Sequence, residues 1–208
     1  MTTKEAEQSL AVIRALMERG TRYTHISSAS AFAAGLVTLA GCAVRRSAIL
    51  PFGDRGNFVA TWVGVFVFSL AAIVAFTAIS ARRNRERVWN RQAQTVVLSI
   101  LPAFFAAIIV SQVLYQNGLR DQLPGIWMLL YGCGALAMSF FTPQAIRALG
   151  IAFMVAGGIS LLLVPGHEVA AMALSFGGIH LGWAVAVSLQ RQAELAARRA
   201  ASVVMQDR

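Results

Sequence analysis

Long apolar runs separated by short polar stretches dominate this chain. Six runs have the length that carries a helix across a bilayer, about 17–25 residues. They are Ser27 to Val44, Phe58 to Ala81, Thr95 to Tyr115, Pro124 to Phe141, Pro143 to Val164 and Val169 to Leu189. None has Lys, Arg, Asp or Glu near its centre. A helix satisfies its backbone polar groups internally, which hydrocarbon demands, so each run predicts a spanning helix. The expected fold class is all-α: an integral membrane bundle of six transmembrane helices over residues 27–189. An N-terminal segment (1–26) and a C-terminal tail (190–208) flank it.

The punctuation between runs predicts how neighbours pack. Thr142 before Pro143 reads as an N-cap with proline at the first helical position, ending the fourth span and starting the fifth in a tight turn. "VPGHE" (Val164 to Glu168) ends the fifth span at a Pro-Gly turn. Spans four to six are then close antiparallel neighbours. Pro102 inside the third span removes a helical hydrogen bond and predicts a kink. The sixth span, its counterpart in an inverted repeat, has no proline, so the matched broken helices of many transporters are not visible.

Both polar ends read as amphipathic cytoplasmic helices. In "EAEQSLAVIRALMERG" the residues Ala6, Leu10, Ile13 and Met17 form one stripe. Arg14 and Glu18 pair at i, i+4, and Gly20 supplies a C-cap. The tail from Arg191 to Met205 is also helical in pattern, with Glu194 and Arg198 at i, i+4. Such helices rest on lipid headgroups or on the bundle, or they dock a protein partner. The N-terminal segment is too polar for the apolar core of a signal peptide.

Composition strengthens the membrane reading. The 208 residues are 57% hydrophobic and only 13% charged, against about 25% charged in soluble domains. The net charge of +9 would suggest nucleic acid in a soluble protein. Here it marks topology, and no nucleic-acid partner is expected. Fourteen cationic residues fall on one side: Lys4, Arg14, Arg19, Arg22, Arg82, Arg83, Arg85, Arg87, Arg91, Arg147, Arg191, Arg198, Arg199 and Arg208. The other side holds four, Arg45, Arg46, Arg55 and Arg120. Positive residues gather in the cytoplasm, so both termini are expected there. Trp62, Tyr115 and Trp127 fall near the outer ends of spans, Tyr23 and Trp89 near the inner ends, where amphipathic rings favour the interface.

Candidate chemistry is sparse. Cys42 and Cys133 lie inside apolar runs without ligand spacing, so neither a metal site nor a disulfide framework is expected. His167 and Glu168 alone are too few for a metal, which takes three or four ligands. No nucleophile elbow, P-loop or HExxH motif is present, and no enzyme activity or cofactor is expected. The exception is His180, in the middle of the last run, because ionisable residues at depth are rare. At 100° per residue Gly178 and Gly182 share one face, with His180 about 160° away beside Phe176 and Trp183. The glycines then form a small-xxx-small helix contact. His180 needs a polar partner on another span, with Tyr131, Ser160, Ser69 and Cys133 at similar depth. A structural hydrogen bond and a proton or ligand site are both open; the latter would draw on Tyr131, Ser160 and Gln112. Haem ligation would need a second histidine, which neither His25 nor His167 supplies at matching depth.

At "IRALMERGTRYTHIS" (Ile13 to Ser27), "TPQAIRALGIAFMVAGGISLLL" (Thr142 to Leu163) and "MALSFGGIHLGW" (Met172 to Trp183) the chain resembles a group of small, uncharacterised bacterial membrane proteins. The likeness covers most of the chain. It implies six spans and a bacterial inner-membrane address, and it transfers no catalytic residue. Two function classes follow from the sequence. The first is a non-enzymatic accessory or regulatory membrane subunit, with the bilayer and a membrane or cytoplasmic protein as partners. The second is a small transporter or channel with a cavity near His180. A haem-binding electron-transfer subunit is a weaker third. Oligomeric state is not legible.

Overall fold

The computed structural model describes residues 28–83, 85, 88–163 and 166–206, with side chains as far as residue 197. The N-terminal amphipathic segment, His25, the Val164–Pro165 turn and the side chain of Arg198 lie outside the described residues. Every regular element among the described residues is helical: α1 (Ser28–Ser47), α2 (Gly53–Arg83), α3 (Arg91–Gln116), a 3₁₀ turn (Arg120–Gln122), α4 (Leu123–Met138), α5 (Ala145–Leu163), α6 (Glu168–Met172), a π-helical stretch (Ala173–Ile179) and α7 (His180–Gln206). The last three form one rod, since Met172, Ala173 and His180 keep right-handed helical dihedrals across the joins. The tail helix is therefore the continuation of this rod.

Among the described residues, five helices are long and apolar enough to cross a membrane: α1, α2, α3, α5 and the rod from Glu168 to Ala197. The fourth run, expected as a sixth span, forms a helix of only 16 residues. That is about 24 Å at the α-helical rise, short of a hydrocarbon core of about 30 Å.

Local chemistry sets the ends. Asn90 caps α3, its side-chain oxygen accepting from the Ala93 N–H at 2.8 Å. Asn117 and Gly118 (φ +74°) close the other end, the left-handed residue after a helix that glycine adopts without strain. Pro102 lies within α3, which runs unbroken through it. Thr142 does not cap the next helix. Its hydroxyl turns back to the Met138 carbonyl at 2.9 Å, closing α4, and α5 begins only at Ala145. Threonine bonds to the carbonyl four residues back as readily as to an amide ahead.

α1 is central and packs on α2, the π stretch and α7; α4 packs on α5 and α3. The tightest seam joins α4 and α5. A Cβ added at Gly132 would lie 2.8 Å from the Gly150 carbonyl, and one at Gly157 would lie 2.8 Å from the Gly125 carbonyl. Glycines seven apart on each helix thus face each other, letting two backbones touch, the close approach on which association in lipid depends. Phe58, Trp62, Leu123, Met172 and Cys42 form the core at one end. Met128, Leu149 and Phe153 form a second core nearer the middle.

Candidate functional site

Four aromatic rings meet where α4, α5 and the rod converge. Phe153 of α5 is fully buried, and its ring centroid lies 4.6 Å from that of Tyr131, 4.8 Å from Phe176 and 5.1 Å from His180. Tyr131 meets Phe176 edge-on at 5.3 Å and His180 at 5.4 Å. These separations suit the edge-to-face and tilted pairs that ring quadrupoles prefer. His180 is only 6% exposed.

Both ring nitrogens of His180 have partners. Nδ1 lies 3.0 Å from the Phe176 carbonyl oxygen, and Nε2 lies 2.8 Å from the Tyr131 hydroxyl. A carbonyl only accepts, so Nδ1 carries the hydrogen. Nε2 is then the acceptor, and Tyr131 donates to it. The neutral imidazole is saturated by this pair of bonds. A metal or a haem iron would take His180 through a ring nitrogen, and both are already engaged within the chain.

The rod's local geometry arranges this. Residues of a π helix bond five back instead of four, so each turns through less than 100°. His180 is the first residue after that stretch and reaches back to the Phe176 carbonyl. Three residues further on, Trp183 Nε1 donates to the Ala145 carbonyl at 2.9 Å and ties the rod to the start of α5.

The sequence places four residues at this site, and the structure brings two of them together. Tyr131 and His180 are bonded. Ser160 sits partly exposed on α5 and Gln112 is exposed on α3, and neither is a partner of His180. The expected Gly178/Gly182 contact is corrected. Both are exposed, and among the described residues an added Cβ at Gly182 would meet nothing within 4 Å, while one at Gly178 would meet only its own rod's Ala173 carbonyl at 3.7 Å. The close crossing falls one residue earlier. A Cβ on Gly177 would lie 2.7 Å from Leu39, and one on Gly35 would lie 2.8 Å from Leu181 and 3.0 Å from the Gly177 carbonyl. The π stretch slips the 100° count, so the wheel selects the wrong glycine.

A second polar cluster escaped the sequence reading. Arg45 Nε lies 2.5 Å from Glu168, its Nη2 lies 2.6 Å from Asp54, and Arg120 pairs with the other Asp54 oxygen. It joins the end of α1, the start of α2, the 3₁₀ turn and the start of α6. The signal was present, since Arg45, Arg120 and Glu168 all fall on the same side of the threading. Cys42 is buried and Cys133 exposed, so the two thiols lie in different surroundings. No group of three or more His, Cys, Asp or Glu placed to hold a metal occurs among the described residues. No family model, curated protein or solved structure matches the chain.

Proposed function

We propose that this chain is a multi-pass protein of the bacterial inner membrane, crossing it six times with both termini in the cytoplasm. In this reading it is a non-enzymatic accessory or regulatory subunit that acts by contact with another membrane or cytoplasmic protein. The short α4, with its 3₁₀ turn and the turn after Met138, would make the sixth crossing where the bilayer thins locally against a short apolar segment.

The observation that carries the reading is the middle of α2. Phe66, Val67, Phe68, Leu70, Ile73 and Val74 are all exposed, between 43% and 68%. At 100° per residue the six positions spread over roughly 220° of the circumference within about two and a half turns. This apolar helix is held by α1 on one side and offers most of its surface to lipid or to another protein. The interior residue with the best claim to chemistry, His180, spends both nitrogens on this chain's own atoms. That supports a structural residue over a transport site.

The test is solubilisation of the chain from its native membrane in a mild detergent, with its assembly size set against that of the purified chain. A discrete larger assembly is expected. Solute flux through proteoliposomes of the purified chain, lost on His180→Phe, would overturn the reading in favour of a transporter.

A further inference from the structure

Beside the paired cluster of Arg45, Asp54, Arg120 and Glu168 lies a groove of about 510 Å³ between the last turn of α1 and the start of α6. Ala43, Val169, Ala170 and Ala173 give it an apolar wall, and Arg46 and His167 line its polar part. The charges there do not cancel. Glu168 also lines the groove, but its carboxylate is held by Arg45 at 2.5 Å. Asp54 is shared between Arg45 and Arg120. Two carboxylates and two guanidiniums therefore close on one another. Arg46 is next in sequence to Arg45, is exposed, and has no carboxylate within ion-pair distance among the described residues. The groove thus pairs one uncompensated cation with a wall of small apolar side chains.

We propose that this groove holds a phospholipid with an anionic headgroup, its phosphate against Arg46 and the start of one acyl chain along Ala43, Val169, Ala170 and Ala173. The inference rests on the membrane reading above and goes beyond it by naming a ligand. Arginine at a helix end lays its stem on apolar surface and keeps its guanidinium at headgroup level. A phosphodiester there meets a planar donor fork that suits it. A free anion would gain little, because one exposed guanidinium in water binds weakly and an apolar wall offers such an ion nothing.

The test uses the purified full chain, stripped of lipid in a neutral detergent and offered equal phosphatidylglycerol and phosphatidylcholine. Bound lipid is counted by native mass spectrometry. Phosphatidylglycerol is expected to be preferred about fivefold, the size of one charge at a membrane surface. Arg46→Gln should bring the preference close to one. Arg55→Gln, at the same end but outside the groove, should leave it unchanged. A preference that survives Arg46→Gln, or one that falls equally with both substitutions, overturns the proposal. Displacement of the lipid by millimolar inorganic phosphate overturns it too, since the site would then belong to a free anion. Alkaline carbonate extraction separates the two levels. A chain released from membranes defeats the membrane reading and this proposal together, whereas a retained chain without headgroup preference defeats this proposal alone.

Discussion

Tyr131 and His180 face each other across 2.8 Å, hydroxyl to Nε2, with the other ring nitrogen held by a carbonyl four residues back. The bond ties α4 to the rod at the point where π geometry gives way to α. The rings of Phe153 and Phe176 pack around it, and His180 is only 6% exposed. In such surroundings a buried donor or acceptor that loses its partner costs more than the bond contributes on average.

His180→Phe is therefore expected to destabilise the bundle by about 1–3 kcal/mol. The ring shape is nearly kept while the Tyr131 hydroxyl loses its acceptor. His180→Gln should cost less, because an amide oxygen can still accept from Tyr131. Tyr131→Phe should resemble His180→Phe. A double-mutant cycle on thermal melts in detergent should give a coupling of about 0.6–2 kcal/mol. Additive single and double variants would mean that the bond contributes nothing.

The glycine seam makes a sharper contrast. Gly132→Ala and Gly157→Ala each place a methyl 2.8 Å from a backbone carbonyl of the facing helix, which no side-chain rotation relieves. Overpacking of this kind costs about 1–3 kcal/mol. Gly182→Ala meets nothing within 4 Å and should raise helix stability by a few tenths of a kcal/mol up to about 1. Melting curves of the three variants decide it. Equal losses at all three positions would place Gly182 in a contact with a second chain.

The helices were legible because bilayer-length apolar runs leave few alternatives; α1 and α3, for example, begin and end within about four residues of the expected bounds. The Tyr131–His180 pair was legible as well, since a lone intramembrane histidine needs a partner and few polar side chains share its depth. Three features were not. The Gly125/Gly157 and Gly132/Gly150 seam has a seven-residue spacing that a search for small-xxx-small pairs passes over. The π stretch has no sequence signal that the 100° wheel detects, and it moved the rod's close crossing from Gly178 to Gly177. Phe153 looked like any other apolar residue of α5 until the fold placed it among three rings.

Thr61 gives a prediction of opposite sign. It is 5% exposed, and among the described residues its hydroxyl oxygen has no hydrogen-bond partner, as is also true of the indole nitrogen of Trp62 beside it. Thr38 is as deeply buried, but its hydroxyl donates to the Ala34 carbonyl at 2.9 Å. Thr61→Val removes an unsatisfied polar group and nearly keeps the shape. It should stabilise the protein by about 1 kcal/mol. Thr38→Val should be neutral or mildly destabilising, because it deletes a bond already made. A rise in melting temperature for the second and not the first would mean that the Thr61 hydroxyl has a partner from lipid or another chain.

Orientation is the most direct property to test, because charge and structure bear on it separately. Arg45, Asp54, Arg120 and Glu168 share one end of the bundle through their ion pairs. The chain enters and leaves that end at the α1–α2 turn, at the 3₁₀ turn and at the start of α6. The same end carries four of the eighteen cationic residues, with the other fourteen assigned to the opposite side. An excess of that size on short segments places the richer side in the cytoplasm. Six crossings keep both termini on that side, whereas five would separate them. A reporter fused after Arg208 and one inserted beside Arg55 are therefore expected to report opposite compartments, and one at the N-terminus should agree with the one after Arg208. If the two termini disagree, α4 does not cross and five spans remain. If Arg55 and Arg208 report the same compartment, the threading itself is wrong.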